Sequence, residues 1–179
     1  MSRRARRIAL ALVVLAGAMA FVSASGAFTS VTADRTMQVS VAGDADALLG
    51  LSPHSGPNGA GAYAQTTNGQ LEILIDGTNT AGSGVNLNAR TEIRDVFNVT
   101  NQGTQSIDVW IDKSGDNTAL VTFGNATGVQ MDGSSGDAQT IGTGETIEVG
   151  LVIDTRGASL SPGDTLIDSV TIHANATAT

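Results

Sequence analysis

Apolar and mainly polar side chains alternate with a period of two in five separate runs, and this alternation constrains the fold more than any other feature. Met37, Val39 and Val41 alternate with Gln38 and Ser40, and Leu71, Ile73 and Ile75 with Glu72 and Leu74. Ile107, Val109 and Ile111 alternate with Asp108 and Trp110. Ile147, Val149, Leu151 and Ile153 alternate with Glu148, Gly150 and Val152, and Val170 and Ile172 with Thr171 and His173. Successive side chains of a strand point to opposite faces, so each run offers one face to a core. Turn-forming clusters separate the runs: Asp76-Gly77, Asn101-Gln102-Gly103, Ser114-Gly115-Asp116-Asn117, Asp132 to Asp137, and Ser161-Pro162-Gly163-Asp164. Beyond the first 27 residues the one helical feature is a single short turn over Ala45 to Leu51, with Asp44 near its N-terminus. Ser52 to Gln70 is rich in glycine, serine and asparagine, has Tyr63 as its one large residue, and reads as a long surface loop. The expected fold is all-β, an antiparallel β-sandwich of jelly-roll type preceded by an N-terminal signal-peptide helix.

That leader is read from its three parts. Met1 to Arg7 is a basic head, Ile8 to Val22 is apolar, and Ser23 to Ala27 is a run of small residues, the pattern of a secretory signal peptide. The apolar part falls short of the roughly 20 residues of a membrane-spanning helix. Cleavage fits after Ala27, leaving Phe28 first, or after Gly26; the head suits the general export route and, through Ser2-Arg3-Arg4, the twin-arginine route. The organisation is then residues 1–27 as signal peptide and 28–179 as one β-sandwich domain, secreted or at the cell surface. Membrane contact is expected only through the leader before cleavage.

Charge excludes one class of partner. The chain of 179 residues carries 17 acids and nine bases. Without the leader five bases remain, a net charge of −12. A surface of that sign does not bind nucleic acid by neutralising phosphates. The whole chain holds a single lysine, Lys113, and arginine and acid with almost no lysine is the composition expected of a surface kept soluble in high salt. With no cysteine there is no disulfide framework, thiol nucleophile or thiolate metal site.

Motifs for chemistry are sparse. His54 and His173 are far apart in sequence, and neither has the glutamate placement of a helical zinc-protease motif. There is no Gly-x-Ser-x-Gly elbow, and no glycine-rich turn joins a strand to a helix as a phosphate cradle does. No small-molecule substrate can be identified. Calcium is the one cofactor the sequence offers: Asp112, Ser114 and Asp116 stand at alternate positions, as in the first half of a calcium loop, but position twelve of that loop is Phe123. Three sequons are chemically competent for N-glycosylation in an exported chain, at Asn98, Asn125 and Asn175. Asn125 lies in an apparent turn and is the best placed; Asn98 falls in a strand-like run and Asn175 near the C-terminus.

The stretches Ala27 to Arg35, Asp46 to Leu51 and Val96 to Thr104 resemble an uncharacterised family of secreted haloarchaeal proteins, which implies export and no particular chemistry. In arrangement the chain is also similar to the TasA/camelysin group: a leader, a mature start rich in Phe, Thr and Ser, and a jelly-roll domain. That resemblance implies extracellular fibres in which a terminal strand completes the sheet of the next subunit. Here the corresponding assembly strand would run from Phe28 to Val41, with Phe28, Val31, Met37, Val39 and Val41 as its apolar residues. The expected function is a secreted or surface structural subunit, not an enzyme, whose partner is itself. The alternatives are a secreted, camelysin-like hydrolase and a monomeric glycan- or ion-binding module.

Overall fold

The computed structural model divides into two units, Met1–Val39 and Ser40–Thr179. It describes residues 40–76, 80–82 and 84–177, together with Arg3. The leader, apart from Arg3, and the positions Phe28, Val31, Met37 and Val39 lie outside the described residues.

Within the second unit the fold is all-β and every sheet is antiparallel. Among the described residues nine strands follow in order: β1 (Leu49–Pro53), β2 (Ala64–Thr67), β3 (Gln70–Ile73), β4 (Arg90–Asn101), β5 (Ile107–Ser114), β6 (Val121–Asn125), β7 (Gln139–Ile141), β8 (Thr146–Asp154) and β9 (Ser169–Ala176). They form a four-stranded sheet, β1-β4-β8-β6, a three-stranded sheet, β7-β5-β9, and the β2–β3 hairpin. From β4 onward, consecutive strands alternate between the two larger sheets.

Four of the five period-two runs pack into one shared core. Val109 and Ile111 of β5, Val149, Leu151 and Ile153 of β8, and Val121 and Phe123 of β6 are all buried. Leu71, Ile73, Ile75, Val170 and Ile172 pack against that cluster. Phe97 and Phe123 meet edge to face, ring centres 6.4 Å apart, the arrangement the ring quadrupole favours. In β4 the alternation breaks. Its register against β8 shifts between Ile93 and Phe97, Asp95 takes φ +54°, and Val96 and Phe97 are both buried in succession. This is a β-bulge, which adds residues on one strand and re-aims its side chains.

Three stretches depart from the sequence reading. The helical turn is only Asp44–Asp46, and the chain passes directly into β1. Asp44 does not cap that turn; its Oδ2 accepts a hydrogen bond from Leu71 N at 2.8 Å, fastening the turn to β3. The presumed loop Ser52 to Gln70 contains the end of β1, all of β2 and a fully buried Ala64. Its Asn68-Gly69 pair, with φ of +52° and +82°, makes the tight turn between β2 and β3, because the twist of paired strands suits a turn with both central residues left-handed. Val41 lies in irregular chain and is 99% exposed, so the alternation from Met37 does not continue into a strand at its described end.

Two buried polar side chains hold loops to the core. Asn101 Nδ2 donates to the carbonyls of Gln105 (2.8 Å) and Ile141 (3.0 Å), and its Oδ1 accepts from Gly103 N at 3.0 Å. Thr155 Oγ1 donates to Asn86 O at 2.8 Å and accepts from Ala89 N at 2.9 Å, fixing the entry to β4. Each satisfies backbone groups that burial would otherwise leave unpaired.

Candidate functional site

The β5–β9 ladder gathers four of the residues that the sequence marks for chemistry: Asp112, Ser114, His173 and Asn175. Its register pairs Asp108 with Asn175, Trp110 with His173, Asp112 with Thr171 and Ser114 with Ser169. Because β5 turns its odd-numbered residues inward, its even-numbered residues and their odd-numbered partners on β9 form the outer face of the sheet. The Trp110 and His173 rings stack with centres 4.8 Å apart and planes 6° from parallel. His173 Nε2 lies 3.0 Å from Asp112 Oδ2. Thr140 Oγ1 donates to Asp108 Oδ1 at 2.6 Å, and Ser114 Oγ and Ser169 Oγ share a hydrogen bond of 2.8 Å. The face therefore carries aromatic, carboxylate, amide and hydroxyl groups side by side.

The structure gives Asp112, Ser114 and Asp116 separate surroundings. Asp112 is engaged by His173, Ser114 by Ser169, and Asp116 is exposed in the turn beyond the strand. That turn is bonded to the segment before β9. Asn117 N donates to Leu166 O (3.2 Å) and Asn117 Nδ2 to Thr165 O (3.2 Å). Gly115, at φ +141°, sits so close to Ile167 and Asp168 that a Cβ would fall 2.9 Å from each backbone. Among the described residues no three His, Asp or Glu side chains gather as a metal-ligand set.

The sequons occupy three different settings. Asn98 is on β4, an interior strand, between Ser52 and Glu148. Asn125 ends β6 and holds the following turn: its Oδ1 accepts from Thr127 N, Thr127 Oγ1 and Val129 N at 3.1, 2.7 and 2.9 Å, and its Nδ2 donates to Gln139 Oε1 at 3.2 Å. Asn175 is exposed on β9. His54 follows β1, and its Nδ1 accepts from Gly56 N at 2.9 Å. A backbone N–H can only donate, so the ring hydrogen is on Nε2, which faces Glu148 Oε1 at 3.3 Å.

The sequence reading missed a second polar cluster. Lys113, inside the supposed calcium loop, points inward, and its ammonium contacts Asp132 Oδ2 and Val121 O. The signal was in the alternation: Ile107, Val109 and Ile111 face the core, and Lys113 is the next residue in phase. A cavity of about 210 Å3 beside the start of β4 is lined by Tyr63, Ile75, Val85, Thr91 and Ile93 among others, and brings no acid–base pair together.

Hydrogen bonds and ion pairs lower three carboxyl groups near the surface. Hydrogen bonds from Arg156 lower the Asp154 carboxyl from the ordinary 3.8 to about 2. Glu92 is lowered by Arg94 first and Arg90 second, and Glu72 by hydrogen bonds from Gln65 and Thr67. Among the described residues no helix is long and apolar enough to cross a membrane. No curated protein matches the chain. Residues 43–179, which span all nine strands, match the family model described as "Protein of unknown function (DUF1102)", and the chain belongs to that family.

Proposed function

We propose that the protein is a secreted or cell-surface structural subunit, with a sandwich of jelly-roll type, that assembles by strand exchange. The observation that carries this reading is the edge of β9. The strand is eight residues long and stands at the end of the β7-β5-β9 order, and no strand among the described residues pairs with its other edge. An open row of backbone N–H and C=O groups is a template for a further strand. The segment 28–41 is the donor in this reading. Ser40, Val41 and Ala42 are exposed, which suits a donor free of its own sheet.

Negative-stain microscopy of the mature protein in high salt tests the reading. Fibres are expected, and deletion of residues 28–41 should abolish them while the far-ultraviolet β signal persists. Uniform small particles at every salt and protein concentration overturn it.

One observation favours a second reading, a glycan-binding module. The outer face of β5 and β9 sets Trp110 among Asp108, Asp112, Asn175 and Thr171, and sugars are commonly held by an aromatic ring with hydrogen-bonding neighbours. A saturable change in Trp110 fluorescence on titration with surface polysaccharide, lost in Asp112→Ala, would favour it.

A further inference from the structure

We propose that Lys113 and Asp132 become joined by an intramolecular isopeptide bond. Lys113 is the only lysine in the chain, and its side chain is 12% exposed on the inward face of β5. Its ammonium contacts Asp132 Oδ2 and Val121 O. Asp132 is 2% exposed, and its Oδ1 is buried without a hydrogen-bond partner. A buried ion pair needs every remaining polar site satisfied to offset its desolvation, and this one leaves a carboxylate oxygen bare. An amide in its place removes both charges and keeps one N–H for Val121 O.

The backbone holds the two reactants together. Asp132 bridges Ile111 in parallel, Ile111 N donates to Met131 O at 2.8 Å, and Gly133 N donates to Ile111 O at 3.2 Å. Met131 N also donates to Phe123 O at 3.0 Å, so segment 130–133 is bonded to both β5 and β6. Groups fixed in this way react with effective concentrations far above any in solution.

The step balances within the pair. One proton passes from the ammonium to Oδ2, giving a neutral amine and a carboxylic acid, an exchange a dry site permits because neither charge is solvated. The amine lone pair adds to Cγ, forming the Nζ–Cγ bond and moving the C=O electron pair onto Oδ1. That pair then re-forms the carbonyl as the Cγ–Oδ2 bond breaks. Oδ2 leaves as water, carrying its own proton and one from nitrogen. Nothing is oxidised or reduced. The product is a covalent link at the seam where β5 of one sheet meets the segment bonded to β6 of the other.

Mass spectrometry of the folded full-length chain, produced in a host that does not glycosylate it and then denatured, tests the proposal. The expected mass is that of the sequence less one water. Trypsin should fail to cut after Lys113, leaving one cross-linked peptide 95–156 in place of 95–113 and 114–156. Asp132→Ala should restore both the full mass and the cut. Because Asp132 precedes Gly133, a succinimide would also lose one water, but trypsin would still cut after Lys113. That outcome, or a wild-type chain of full mass that is cut there, overturns the proposal.

Discussion

Gly150 lies directly beneath the carbonyl of Ile93, so close that a Cβ on Gly150 would fall 2.6 Å from that oxygen and 2.9 Å from Arg94 Cα. The β4 bulge presses its backbone onto β8 at this point, and only a residue without a side chain fits. Neither contact atom is the end of a flexible side chain, so the strand itself must move to admit a methyl group. Gly150→Ala is expected to cost about 1–3 kcal/mol, the usual range for overpacking. Urea unfolding of the variant should show it as a lower midpoint with an unchanged slope. Gly144→Ala is the useful contrast: nothing lies within 4 Å, and its φ of +75° makes the loss one of backbone conformation alone, about 1 kcal/mol.

Asn101 should be intolerant of shortening. Asn101→Ala removes the partner of two carbonyls and one N–H around a site that is 1% exposed. Each buried group left unpaired costs about 1–3 kcal/mol. The expected loss of at least about 2 kcal/mol can be read from thermal or urea unfolding. A loss indistinguishable from that of an exposed asparagine would mean that water replaces the missing bonds.

Asp154 gives the pH prediction. Its folded value of about 2 lies below the ordinary 3.8, through hydrogen bonds and charge from Arg156. A carboxyl depressed in the folded state adds stability at pH above its unfolded value, and that contribution is lost as pH falls from about 3.8 through about 2. Carboxyl carbon shifts should show Asp154 still mostly ionised at pH 3.8. In Arg156→Ala the midpoint should rise toward the ordinary value. A wild-type midpoint near 3.8 would mean that water screens the exposed pair.

Glycan placement is the fourth prediction. The amide nitrogen that a glycan would modify is, in Asn125, already donating to Gln139, and the same side chain organises the turn through Thr127 and Val129. Asn175 is exposed on β9. Peptide mapping of protein from a host that glycosylates should find sugar at Asn175 and none at Asn125. Asn125→Ala should lower stability by about 1 kcal/mol through loss of the turn.

Strands with an unbroken alternation were legible in the sequence: β5 and β8 almost whole, β3 and β9 in their inward residues. β4 was not among the alternating runs, although Asn98 was placed in a strand-like stretch, because its bulge buries Val96 and Phe97 in succession and destroys the period. β2 was hidden by its polar composition, although Asn68-Gly69 is the strongest short hairpin signal a sequence can carry. β6 and β7 are three to five residues long, too short for a period to declare itself. Of the site, the facing of Trp110 and His173 followed from alternation, whereas their stacking depends on a register that is set by side chains far apart in the chain. Lys113 was read for its neighbours Asp112 and Ser114 when its phase with Ile111 was the better guide.

The alternation of consecutive strands between sheets has a consequence for how the chain acquires its structure. No ladder in either larger sheet joins strands adjacent in sequence; each closes a long loop before it gains anything. Chains dominated by such distant pairings fold slowly, over about milliseconds to seconds. A chain emerging from its N-terminus can make the β2–β3 hairpin early and lay β1 on β4, but β4 waits for β8 on its other side. β5 waits for β9, the last strand among the described residues. The C-terminal strand is therefore a condition of folding and not an appendage, and truncation a few residues short of Ala176 should leave a chain that ripens slowly or not at all.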